Sequence, residues 1–196
     1  MTATTLQNMI EQDHKYTLEL VGKLQSEFDS NMKNKYKNSL VRHLSRALTA
    51  EEMVLYPIID KVITNKKLQA NKQVLLETLK EAHLKIKEDL VDMDSMVSIQ
   101  VDFGKKLEQM MVLLNTVYTK EMDLMTELSN PALTDESGSN LIIDDSFGKE
   151  YLSAKESAPT RPHPKQPMSN PIVQAAACAV ENPIDKLKDV QREFAD

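Results

Sequence analysis

Two histidines and two glutamates interrupt stripes of apolar residues that recur with helical spacing. The first stripe is Leu6, Ile10, His14, Thr17, Val21, Leu24 and Phe28, and the second is Leu40, Leu44, Ala47, Glu51, Leu55, Ile58 and Val62. The third is Leu75, Leu79, His83, Ile86, Leu90, Met93 and Val97. The fourth is Phe103, Leu107, Met110, Leu114, Val117, Glu121, Leu124 and Leu128. His14, Glu51, His83 and Glu121 each fall near the middle of their stripe. A carboxylate aimed among aliphatic side chains needs a partner, because an isolated buried charge is very costly. Two imidazoles and two carboxylates at one level of a helical interior form a donor set for a cation. Carboxylates chelate or bridge, neutral imidazole donates to iron, zinc, copper or manganese, and the ion's charge offsets the desolvation of both glutamates. The same four groups can also pair without an ion, as imidazolium–carboxylate hydrogen bonds.

The elements that position these residues follow from the rest of the sequence. Only 4 of 196 residues are glycine, and good helix formers dominate, which predicts an all-α fold. Short polar breaks are expected around 30–36, 64–71 and 98–102, and short connections make consecutive helices antiparallel neighbours. Residues 1–130 are therefore expected to form an up-down-up-down four-helix bundle. Pro57 should kink the second helix or mark its last turns. "SNPALTDESGSN" (129–140) ends the bundle, and 131–157 reads as a linker followed by an additional helix over about 140–156. The apolar residues of that helix are Leu141, Ile142, Phe147, Tyr151 and Leu152. Residues 158–196 read as a proline-rich tail and a C-terminal amphipathic helix. "APTRPHPKQPMSNP" holds five prolines and should be extended, and the last helix should start at Asn182 as N-cap with Pro183 in its first turn. Its apolar edge of Ile184, Leu187, Val190 and Phe194 is expected to dock on the bundle, with capture of a partner as the alternative.

Composition excludes several function classes. The net charge is −6 with acids and bases interspersed, and no basic stripe with interleaved aromatics points to nucleic acid. No apolar run approaches the roughly 20 residues a membrane span requires, and the first residues lack the pattern of a secretory signal. The single Cys178 cannot form an internal disulfide, which fits a reducing, cytoplasmic setting. No Ser/His/Asp arrangement, Cys/His pair or Gly-rich phosphate loop is visible, so an enzyme is not expected. "DDSFGKE" lacks the loop spacing of a calcium site.

The stretches "IEQDHK" around His14, "AEEMVLYP" around Glu51 and "EAHLKIKEDL" around His83 resemble the hemerythrin-like (HHE cation-binding) family. The tail segments "PTRPHP" and "NPIDKLKDVQREF" also resemble those of family members, so the likeness covers nearly the whole chain. The resemblance implies a four-helix bundle around a non-haem, usually di-iron, centre. It also implies histidines from the first and third helices and a His-x-x-x-Glu pair from each of the others. The two paired histidines would stand at positions 47 and 117, which here are Ala47 and Val117, and no histidine occurs between 84 and 162. The resemblance therefore implies a reduced ligand set of His14, Glu51, His83 and Glu121 for iron or zinc. That set would hold one ion, or two through bridging glutamates. The implied roles are sensing or storage of metal, of O2 or of another small diatomic. A metal-free degenerate bundle serving as a protein-interaction scaffold is the competing reading. His43 lies eight residues before Glu51, about 12 Å along the helix axis and roughly 80° around it, and reads as a surface or boundary residue rather than a replacement ligand. Tyr118 is expected to line the vacated place in the fourth helix, and His163 to be a surface residue.

Overall fold

The computed structural model describes residues 5–64, 71–128, 145–166 and 170–195. Among them the regular structure is all helix, with no strand. The helices are α1 (Leu6–Ser26), α2 (Ser30–Thr64), α3 (Asn71–Ser95), α4 (Val101–Leu128), α5 (Asp145–Ser157) and α6 (Pro171–Asp189).

Local chemistry sets their ends. Thr5 caps α1 by accepting from the Asn8 amide at 3.3 Å. The turn after α1 is shorter than the sequence suggests, because Asp29 already accepts from the Met32 amide at 2.8 Å, as a helix N-cap does. Phe28 falls in this turn and is 96% exposed, so it is not part of the α1 stripe. Pro57 lies inside α2, which runs on to Thr64. Lys37 reaches from α2 to donate to the carbonyls of Met96 (2.8 Å) and Asp94 (3.3 Å), closing the C-terminal end of α3. Beyond it Val97 is exposed, against its expected place in the core. The side chains of Val62 and Leu128, and residues 129–144 with Leu141 and Ile142, lie outside the described residues.

Helix α1 packs against α2, α4 and α5, while α3 packs against α2 and α4. The four polar-interrupted helices thus close a ring of neighbours around one core. Ile10, Leu24, Leu44, Leu55, Ile86 and Leu114 are fully or almost fully buried there. Each such side chain contributes about 1.5–3 kcal/mol relative to its exposed state.

Two further helices cover α2. On α5, Tyr151 donates to Asp13 Oδ2 at 2.8 Å and the Lys155 ammonium pairs with Asp13 Oδ1. The Lys155 carbonyl in turn accepts from Arg46 Nε at 2.8 Å. Residues 158–166 carry no regular element and turn at His163–Gln166, with Pro159, Thr160 and Pro162 buried. Helix α6 then starts about one dozen residues earlier than its sequence suggests. Asn170 is the N-cap, accepting from Ile172 and Val173, and Pro171 occupies the first turn. Asn182 and Pro183 sit inside the helix, and the Asn182 amide donates to the Ser157 carbonyl at 3.0 Å. The orientation of α6 also differs from expectation. Its buried face is Gln174, Cys178, Asn182 and Asp185, while Ile184, Leu187 and Val190 are exposed. The chain after α6 returns to α2 and α3. Arg192 pairs with Asp94 at 2.7 Å, and the half-buried Phe194 stacks under Arg42, the one residue of the expected edge that packs. Among the described residues no helix is long and apolar enough to cross a membrane.

Candidate metal centre

His14, Glu51, His83 and Glu121 meet in the core, one each from α1, α2, α3 and α4. One donor atom each of His14, Glu51 and Glu121 lies within 4.8 Å of the other two. His14 Nε2 is 3.2 Å from Glu121 Oε2 and 3.7 Å from Glu51 Oε1. His83 stands opposite, with Nε2 at 3.2 Å from Glu121 Oε1 and 3.5 Å from Glu51 Oε2. All four residues are buried, His14 being the most exposed at 6%.

These atoms satisfy one another only in part: His83 Nε2 and Glu121 Oε1 are hydrogen-bonded at 3.2 Å. His14 Nε2, Glu51 Oε2 and Glu121 Oε2 make no aligned hydrogen bond to any described residue. Buried polar atoms are almost always partnered, so three orphans facing each other mark a place where an ion fits. The donor set of imidazole nitrogen and carboxylate oxygen suits zinc or ferrous iron. Ala47 and Val117, where the resemblance would place two further nitrogen ligands, are buried at 3% and 1% exposure.

Aromatic rings wall the cluster. Tyr118 stacks on His14 with ring centroids 3.6 Å apart and planes 14° from parallel. Tyr56 donates to Glu121 Oε1 at 3.4 Å. Burial raises both phenols well above their ordinary range, and the neighbouring carboxylates add to this, so both stay protonated.

Without an ion, the electrostatics are those of a tight quartet. Burial opposes charge on His14, but Glu121 and Glu51 outweigh it and lift the ring to about 9. His83 is lifted to about 9 in the same way, by Glu121 and Glu52 against its burial. Burial first, and then repulsion from Glu121, push Glu51 up to about 7 despite both imidazoles. Glu121 itself is held below the usual carboxylate range, its burial being outweighed by His14 and His83.

Other histidines stay outside. His43 Nε2 is 3.1 Å from the Asp13 carbonyl and its ring meets Tyr16 edge-on, so it supplies no ligand. His163 pairs with Asp185 at 2.9 Å and Glu181 at 3.4 Å, which fastens the 158–166 segment to α6. Sequence reasoning missed a second buried layer. Glu52 is fully buried, 3.4 Å from His83 Nδ1, and accepts from Lys87 and Gln174 at 2.6 Å each. A signal was present: Lys87 follows His83 by one helical turn and so shares its inward face.

The chain resembles a hemerythrin-like protein. Over 191 residues it is 25% identical to an uncharacterized hemerythrin-like protein of Schizosaccharomyces pombe, covering 97% of this chain and 88% of the relative. No family model matches the chain. No solved structure matches it either.

Proposed function

We propose that this protein is a divergent hemerythrin-like, metal-binding protein that holds one iron or zinc ion through His14, Glu51 and Glu121, with His83 as fourth ligand. The observation that carries this reading is the trio of buried, mutually facing donor atoms with no hydrogen-bond partner among the described residues. Full-length similarity to a hemerythrin-like relative supports the same reading. The alternating up-and-down course of α1–α4, expected from their short connections, belongs to this proposal. When bound, such an ion supplies Lewis acidity and, if it is iron, redox capacity. The chain's own contribution is to bury that place, to fix four donors on four helices and to set the rings of Tyr56 and Tyr118 against it. We assign it to the sensing or storage of metal, O2 or another small diatomic, in the cytoplasm and without catalysis.

The second reading is a metal-free scaffold. It is favoured by the replacement of two ligand positions by Ala47 and Val117, and by carboxylates that stabilise both imidazolium forms.

Elemental analysis after growth with iron or zinc separates the two. The metal reading expects about one equivalent per chain, lost in Glu51→Ala/His83→Ala together with part of the thermal stability gained on loading. A wild type that stays metal-free, with a melting temperature unmoved by added Fe2+ or Zn2+, overturns it in favour of the scaffold.

A further inference from the structure

The buried layer behind His83 has no place in a bare four-residue site. Glu52 follows Glu51 in sequence, about 100° further around α2, and meets Lys87 and His83 of α3 and Gln174 of α6. Its Oε1 faces His83 Nδ1 at 3.4 Å, close enough for an ion pair but without an aligned hydrogen bond. Its Oε2 accepts from Lys87 Nζ and from Gln174 Nε2, each at 2.6 Å. Glu52, His83 and Gln174 are all at 0% exposure, and Lys87 is at 1%.

The two nitrogens of one ring are thus divided among three carboxylates. Nδ1 faces Glu52, and Nε2 faces Glu51 and Glu121. A histidine that binds a metal through one nitrogen characteristically donates its other N–H to a carboxylate, which fixes the ring's orientation. Lys87 has a separate effect. Its ammonium, with Gln174, occupies Glu52 Oε2 and commits that oxygen to hydrogen bonds within the protein. A simple buried Glu–Lys pair would not need Gln174, which comes from a helix 122 residues away in sequence. Gln174 heads the polar inner face of α6, so the contact that seats α6 is also a contact to the carboxylate behind His83.

We propose that Glu52 is the positioning residue of the centre, setting His83 through Nδ1, and that Gln174 makes the docking of α6 part of that setting. The inference rests on the metal reading for its consequence: filling the centre and seating α6 favour each other. Coupling of this kind is reciprocal, so an ion must tighten α6 as much as α6 tightens the ion.

The test uses the full chain with Zn2+ as the probe. Gln174→Leu removes the donor at nearly constant volume, and Glu52→Gln/Lys87→Met removes the charged pair together so that no lone ammonium is buried. Zn2+ affinity is read by chelator competition, and amide exchange over residues 171–185 is followed with and without Zn2+. In the wild type, Zn2+ should slow exchange in α6. Gln174→Leu should lose most of that slowing and bind several-fold more weakly, and the double variant should bind about 10–100-fold more weakly. Wild-type affinity in both variants, with α6 exchange indifferent to Zn2+, overturns the proposal. If the wild type takes no metal, the proposed function fails separately, and the positioning role is read from the metal-free protein. The His83 ring resonances should then move in Gln174→Leu, and unchanged resonances overturn the proposal. Should the double variant fail to fold, Gln174→Leu alone decides, because it leaves the Glu52–Lys87 pair intact.

Discussion

His43→Gln offers a sharp test of how α1, α2 and α5 are joined. The His43 side chain is 10% exposed. Its Nε2 is 3.1 Å from the Asp13 carbonyl, and its ring lies edge-on to Tyr16 at 4.7 Å between centroids. Burial lowers its pKa and Lys155 lowers it further, against the pull of Asp13, so that it falls from 6.5 to about 4. The sign follows from proton binding. Below 6.5 the unfolded chain takes up a proton that the folded chain refuses until about 4, so stability falls as pH drops through that window. At about 1.4 kcal/mol per pH unit, the full cost is about 3 kcal/mol. Glutamine cannot protonate, so the variant escapes this cost. At pH 7 it should be less stable than wild type by about 1 kcal/mol, from the lost aromatic contact and a weakened hydrogen bond. Toward pH 4.5 the difference should close and then reverse. Urea unfolding at a series of pH values, with a chelator present to exclude metal, measures this directly. A difference that stays constant between pH 7 and pH 4.5 refutes the reasoning, as does a His43 resonance titrating near its ordinary value.

Other outcomes follow from the same contacts. Tyr151→Phe removes the 2.8 Å bond to Asp13 and should cost about 1 kcal/mol in chemical unfolding at pH 7. Leu44→Ala should cost about 2–5 kcal/mol, since Leu44 is 1% exposed in the core. Leu187→Glu should change stability by no more than about 0.5 kcal/mol, because that side chain is 74% exposed; a large loss in the isolated chain would contradict the observed seating of α6. Burial, with Glu181 adding to it, pushes the Cys178 thiol up to about 11, so thiol reagents at pH 8 should modify it only after the chain is unfolded.

The periodic stripes made the first four helices legible, and the polar interruptions pointed to the residues that meet in the core. His14 and Glu121 could be placed because each is the sole ionisable group on an apolar face. Glu52 could not, because it shares Leu48, Tyr56 and Ile59 on a second buried face that a single-stripe reading leaves in solvent. A 35-residue helix touched by α1, α3, α5 and α6 is buried on several sides, and periodicity of 3.6 resolves only one. Helix α6 was misread for the opposite reason. Its inward residues Gln174, Cys178, Asn182 and Asp185 are spaced as a buried stripe but are polar, because they bond Glu52, Gln166, the Ser157 carbonyl and His163. An apolar edge is evidence of a core only when the facing surface is also apolar. Asn182–Pro183 imitates a helix start, yet the capping amide contacts are made at Asn170.

The sealing of the quartet has a kinetic side. With donors at 0–6% exposure and Tyr118 lying flat across His14, an ion bound as proposed would arrive or leave through an opening of the bundle. The uptake rate should therefore level off at high metal concentration, at the frequency of that opening. A strong chelator should strip a filled protein slowly however tightly it competes. What a purified sample carries is then a record of the conditions under which the chain folded, and less of the solution it was last dialysed into.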